Sequence, residues 1–363
     1  MEIKDITNNL DLIRKSRDLW NEFAYLKDSD SKQDLNVKKR YALAIELHYH
    51  WKPDDDYELV KFLMKNEVVS RRNDPYSGSA DSLILISYLL ARYRKPENVW
   101  LFEEAKFADF DTYCGYDVQF LFSAGVEATC RYLERHGITE DRPYLFENRD
   151  HLRSICTEED IEKFFYELSL RFPTRIEDER VETLFDRAII FGDDQEAERL
   201  FRLMEEAGEI SDASLYYYAK KIKNYDKAIH YRRKSLKTST KEWDQASLLQ
   251  DIAELYCLKG EYANAFNTAL TWEPLLKHLN WKETGLGRSL IETLLDISLG
   301  LHEEDDRKLS VTAFEKADSM LKKSKNITIL LLEKAVLCSE KLGFSDLQRY
   351  YRRLLNAERK RIE

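Results

Sequence analysis

Turn-forming residues are scarce in this chain. Eleven glycines and six prolines serve 363 residues, too few for the many tight turns of a large β-protein. Cysteine is equally sparse. The five thiols, Cys114, Cys130, Cys156, Cys257 and Cys338, are odd in number, scattered and never spaced Cys-x-x-Cys. That excludes a disulfide framework or zinc ribbon and points to reduced core residues in a cytoplasmic protein. No apolar run approaches the ~20 residues that span a bilayer; the strongest, Leu83-Ile84-Leu85-Ile86-Ser87-Tyr88-Leu89-Leu90, falls far short. The start, Met1-Glu2-Ile3-Lys4-Asp5, lacks the charged-then-apolar order of a secretory signal. Basic excess is missing too: the formal net charge is -10, which disfavours a nucleic-acid partner. Phosphate loops of the form Gly-x-x-x-x-Gly-Lys, Gly-x-Gly-x-x-Gly turns and Gly-x-Ser-x-Gly elbows are all absent, so no motif assigns a nucleotide cofactor or a nucleophile.

What is present suits helices. Hydrophobic residues make up 43% and include 21 tyrosines, enough to build a core. Charged residues at 34% suit long helices with solvated faces. Apolar residues recur three and four apart, which predicts helices over Ile6 to Leu26, Leu35 to Trp51, Asp56 to Arg71, Ala80 to Arg94, Glu97 to Phe110 and Tyr116 to His136. In the first of these, Leu12, Leu19, Phe23 and Leu26 form the inner side. Arg71 to Ser79 reads as a loop, and Asp111 to Gly115 as a turn. Gly137 to Thr157, with Pro143 and mixed charges, is the best boundary. The expectation is therefore an N-terminal helical region, 1–150, and a second region, 151–363. Helix pairs continue to the C-terminus, the last two being Leu286 to Leu301 with Ser310 to Lys323, and Ile327 to Leu342 with Ser345 to Glu363.

Within the second region a pattern recurs. Its plainest copy is Leu249-x-x-Ile252-Ala253-x-x-Tyr256-x-x-x-Gly260-x-Tyr262-x-x-Ala265-x-x-x-Ala269. A second runs Tyr225-Asp226-Lys227-Ala228-Ile229, and a third runs Val181-x-x-Leu184-Phe185-x-x-Ala188-x-x-x-Gly192-x-Asp194-x-x-Ala197-x-x-x-Phe201. Small residues allow two helices to approach, and Gly260 can take the positive φ that ends a helix. The pattern resembles the tetratricopeptide family. Ala228 to Ala265 spans 37 residues and Ala197 to Ala228 spans 31, either side of the family's period of about 34. Lys223 stands where the other copies have glycine. The resemblance implies an all-α fold of antiparallel helix pairs stacked as a right-handed superhelix. It also implies a concave groove lined by first helices, with Tyr217, Lys220, Gln250 and Glu254 as the partner-binding residues.

Three constellations compete for chemistry. Glu46-Leu47-His48-Tyr49-His50-Trp51 sets two imidazoles on different sides of a helix, without the i, i+4 geometry of a helical zinc pair. It reads as surface or partly packed histidines. Glu103, Glu104, Asp109, Asp111 and Asp117 can converge near a turn, but aspartates there also cap helices. The aromatics of this stretch, Trp100, Phe102, Phe107, Phe110, Tyr113, Tyr116, Phe120 and Phe122, offer an alternative docking surface. Tyr216-Tyr217-Tyr218 cannot all face one way on a helix, so one or two are expected to be exposed; by the tetratricopeptide resemblance Tyr217 falls at a groove-facing position. Charge is uneven along the repeats: 13 acids against 4 bases over 177–212, then 9 bases against one acid over 213–241. Opposite charge on adjacent repeats favours their stacking with mostly solvated faces; the functional alternative is a groove or flank whose basic band docks an acidic segment.

The expected function is noncatalytic protein or peptide binding, as an adaptor, a sensor or a neutralising partner. No cofactor or metal is expected. The alternative is an enzyme or a small-ligand or metal-binding domain in the N-terminal half, with the repeats as a recruiting module.

Overall fold

A computed structural model describes residues 2–31, 33–74, 80–136, 151, 156–325 and 327–362. Most of the expected boundary at Gly137 to Thr157, and the end of the expected loop at Arg71 to Ser79, lie outside them. Among the described residues there are nineteen α-helices and no strand; the one β-type pairing is an isolated bridge between Lys27 and Asp34. No described helix is long and apolar enough to cross a membrane. The chain forms two compact units, Met1–Phe191 and Gly192–Glu363.

The first unit contains α1 (Ile6–Lys15), α2 (Arg17–Trp20), α3 (Val37–Tyr49), α4 (Pro53–Asn73), α5 (Ala80–Ala91), α6 (Val99–Lys106), α7 (Phe110–Gly115), α8 (Val126–His136), α9 (Glu158–Arg171) and α10 (Val181–Phe191). Helix α3 sits at its centre, packed on α1, α4 and α5. Arg40, Tyr41, Ala42, Leu43, Ala44 and Ile45 are all buried in succession. A buried cation inside that helix needs partners. Arg40 finds them in Asp34 at 2.5 Å, Glu67 at 3.1 Å and the Phe23 carbonyl at 3.4 Å. Arg14 is held by Asp56 in the same way, with its Nε at 2.6 Å from Oδ1. Ile161, Phe164, Leu168 and Phe172 join this core, so α9, placed after the expected 150/151 boundary, belongs with the first unit by packing.

Several expected elements are shorter than the periodicity suggested. The first helix breaks at Ser16, whose backbone is extended. Its buried side is Ile6, Leu10 and Ile13, while Leu12 and Leu26 are more than half exposed. The expected turn at Asp111 to Gly115 is the helix α7, begun by Asp109 and Thr112 in a reciprocal capping box. The expected long helix from Tyr116 begins only at Val126, after a 3-10 turn at Val118–Phe120 and Gly125, which takes φ +97. A side chain at Gly125 would be strained by that backbone conformation and would crowd the Glu158 carboxylate, 3.3 Å from where its Cβ would stand. That carboxylate instead accepts the Val126 N–H at 2.8 Å and begins α8.

The second unit contains α11 (Asp194–Ala207), α12 (Asp212–Lys221), α13 (Tyr225–Thr238), α14 (Glu242–Leu258), α15 (Tyr262–His278), α16 (Gly285–Glu303), α17 (Arg307–Leu321), α18 (Ile329–Lys341) and α19 (Ser345–Ile362). From α12 onward these pack as adjacent pairs: α12 with α13, α14 with α15, α16 with α17 and α18 with α19. One turn closes all four pairs. Lys223, Gly260, Asp305 and Gly343 each take φ between 57 and 81. The following residue donates its N–H back five positions, Asn224 to Ala219, Glu261 to Tyr256, Asp306 to Leu301 and Phe344 to Ser339, at 2.8–2.9 Å. These are Schellman closures, which satisfy the last carbonyls of a helix. Asn224 and Asp306 then cap the next helix through their side chains. Lys223 thus occupies the turn position that glycine holds elsewhere.

Small residues meet across these turns. Ala253 and Ala265 stand seven before and five after Gly260, and both are fully buried. The equivalent positions around Asp305 are Ser298 and Ser310, and they touch: Ser310 donates to the Ser298 carbonyl at 2.6 Å, and Ser298 to the Ser310 carbonyl at 2.9 Å. Ala265→Leu is therefore expected to cost about 1–3 kcal/mol by overpacking this crossing. Denaturant unfolding with an unchanged midpoint would remove the crossing from that position.

Candidate functional site

From α14 onward, each first helix packs on the first helix of the next pair. Helix α14 packs on α16, and α16 on α18, while α13 and α15 also touch the first helix that follows. Counting back from the left-handed turn residue gives a common register. Six positions before it stand Tyr217, Glu254, Leu299 and Leu337; nine before it stand Asp251, Asp296 and Lys334. The same helical face therefore carries both rows.

Tyr217 is 51% exposed. Its ring lies 4.5 Å from the Lys221 ammonium and 5.6 Å from Tyr218. Tyr216 is buried beneath the Arg232 guanidinium, 3.4 Å from its ring centre. Gln250 and Glu254 come together, Nε2 donating to Oε1 at 2.8 Å. The half-buried Lys220 acts on Asp251: burial raises that carboxyl's pKa, while Arg232 and Lys220 pull it down without cancelling the rise. Arg232 closes on Asp251 at 2.7 Å.

Beyond Glu254, a cavity of about 440 Å³ opens between α14, the start of α15 and α16. Glu254, Cys257, Leu258, Tyr262, Asp296 and Glu303 contribute to its lining. Gly300 lets the Tyr262 ring lie against α16, since a Cβ there would fall 2.2 Å from that ring. Lys334 reaches across from α18 to Glu292 at 2.9 Å and Asp296 at 2.7 Å. Burial opposes the Lys334 charge, yet these two carboxylates outweigh it and raise its pKa. Burial also raises the Asp296 pKa, and Glu292 and Glu254 add to the rise. The Cys257 thiol is pushed to about 12 by burial first and by Asp296 and Glu254 next, so it stays protonated and unreactive.

Sequence reasoning placed Tyr217, Lys220, Gln250 and Glu254 on first helices, where they stand. It did not single out Asp251, Asp296 or Lys334. The alignment of Asp296 and Lys334 appears only once the turns are matched, because Asp305 gives no glycine to mark the third turn. The uneven charge is used between helices: Lys227 reaches Glu205 at 2.9 Å, Lys234 reaches Asp212 at 2.8 Å and Lys259 reaches Asp226 at 2.5 Å.

The N-terminal constellations are differently placed. Asp109 caps α7, accepting the Thr112 N–H at 2.7 Å. Asp111 lies in the first turn of that helix, and Lys106 holds its end by donating to the Tyr113 and Tyr116 carbonyls. Phe102, Tyr116, Phe120 and Phe122 are core residues, whereas Phe107, Phe110 and Tyr113 are exposed. His50 is exposed, but His48 is buried, contrary to the expectation of surface or partly packed histidines. Its Nε2 donates to the Phe172 and Pro173 carbonyls at 3.0 Å each, and burial lowers its pKa. Among the described residues no group of three or more His, Cys, Asp or Glu is arranged to hold a metal.

No protein-family model matches this chain, and no curated protein matches it either.

Proposed function

We propose that the second unit is a tetratricopeptide-like solenoid that binds an extended protein or peptide segment along its first helices, without catalysis. The observation that carries this reading is the shared register of Tyr217, Glu254, Leu299 and Leu337 on four successive first helices. An extended chain repeats its side chains at regular intervals and suits a surface that does the same. Tyr217 and Leu337 stay exposed at two of these positions, and exposed apolar side chains in a row mark contact surfaces better than scattered ones. Tyr217 supplies a large contact area with few rotors to freeze.

The test begins with capture of a partner by cross-linking from a cell extract, followed by affinity measurement with purified components. Tyr217→Ala is expected to weaken binding by about 2 kcal/mol or more, the size of an anchor truncation. A double change at Lys220 and Glu254 is expected to weaken it further by removing the charges that fix the segment's direction. Intact folding with unchanged affinity in both variants would refute the first-helix face as the binding surface.

A further inference from the structure

We infer that the cavity between α14 and α16 receives a lysine or arginine side chain of the bound segment; this rests on the first-helix groove just proposed. Charge complementarity identifies the occupant. Four carboxylates, Glu254, Glu292, Asp296 and Glu303, line or adjoin the cavity, and among the described residues the ammonium paired with them is Lys334. Lys334 is already divided between Glu292 and Asp296. Among the described residues Glu254 is met by the neutral amide of Gln250 and forms no ion pair, and Glu303 is exposed at the rim. Negative charge therefore exceeds positive charge in a concave cleft, where carboxylates from two helices converge on one space.

The remaining lining suits the stem of such a side chain. Leu258, Leu299 and the Tyr262 ring provide apolar wall, and long basic side chains lay their methylenes on such surface while the head group reaches polar partners. A tyrosine ring beside carboxylates also attracts a cation through its π face. A free metal ion fits less well, since among the described residues no ligand group is arranged for one. An acidic side chain would face repulsion from Glu254 and Asp296.

The probe is a set of three immobilised nonapeptide libraries, degenerate except at the central residue, which is fixed as arginine, norleucine or glutamate. The full chain is passed over each at low and at moderate salt. The arginine library is expected to retain about tenfold more protein than the norleucine library, the difference of one charge-assisted hydrogen bond. The glutamate library is expected to retain least, and salt to narrow the spread. Glu254→Gln and Leu258→Lys should each erase most of the arginine preference, the second by placing a cation at the exposed rim without touching the core. Their melting curves report folding separately. Equal retention on the arginine and norleucine libraries overturns the pocket while leaving the groove. Arginine preference that survives both variants also overturns it. Retention on none of the three libraries overturns groove and pocket together.

Discussion

Arg40→Met is expected to cost the first unit about 3–5 kcal/mol, the usual cost of removing one partner from a buried ion pair. The reason is what the substitution leaves behind. Asp34 and Glu67 are buried with the guanidinium, and both side chains have no exposed surface. Without Arg40, Asp34 keeps the Leu26 and Asn36 N–H groups and Glu67 keeps Arg71 at 3.7 Å, but both buried carboxylates lose their closest cation. At present burial raises the Asp34 pKa, but the Arg40 hydrogen bond and charge outweigh that and hold it below the ordinary value. A depressed carboxyl pKa contributes stability above the unfolded-state pKa, and that contribution is lost as pH falls through the folded one. In Arg40→Met the sign reverses, because protonation then relieves the stranded charges. The deficit against the wild type should narrow below about pH 4. Denaturant melts at neutral and acidic pH test both points. Adding Asp34→Asn and Glu67→Gln should restore part of the loss. A variant that melts with the wild type at neutral pH would show that this cation is not integral to the core.

Trp272→Ala is expected to destabilise the second unit by about 3–5 kcal/mol, whereas Trp272→Phe should cost far less. Trp272 lies on α15 with no exposed surface, so alanine leaves a large cavity. Its indole N–H is buried and finds no hydrogen-bond partner among the described residues. Such a donor forfeits about 1–3 kcal/mol of desolvation. Phenylalanine removes that donor while keeping most of the ring, so the lost volume and the relieved desolvation oppose each other. Urea titrations of the two variants separate these effects. Equal losses for Phe and Ala would mean that the indole nitrogen is satisfied.

The sequence was most readable where local and tertiary forces agree. The pair around Gly260 shows this, because the glycine, the flanking apolar stripe and Ala265 all point to one closure. The pairs after α15 were placed correctly from periodicity alone. Reading failed where a distant residue decides a local outcome. The helix read from Tyr116 starts only at Val126, where Glu158, 32 positions on, accepts the first N–H. The Ser16 break left Leu12 outside, although the apolar spacing continued through it. The first-helix positions of Tyr217 and Glu254 were legible from register. Asp296 and Lys334 were not, since their meeting depends on how α18 lies against α16. His48 was misjudged because its partners, the Phe172 and Pro173 carbonyls, arrive from a helix end far along the chain.

The shared turn has a kinetic meaning as well. Each Schellman closure joins two helices through three residues, so bringing them together confines only a very short loop and costs little chain entropy. Contacts of this kind are local, and chains dominated by local contacts cross low folding barriers. The pairs from α12 to α19 can therefore assemble as separate hairpins before they stack, in any order, with growth spreading from whichever forms first. Lys223 and Asp305 slow this step at two of the four turns, because a side chain disfavours the left-handed backbone that glycine enters freely. The hairpins closed at Gly260 and Gly343 are thus the natural starting points from which this half of the molecule acquires its order.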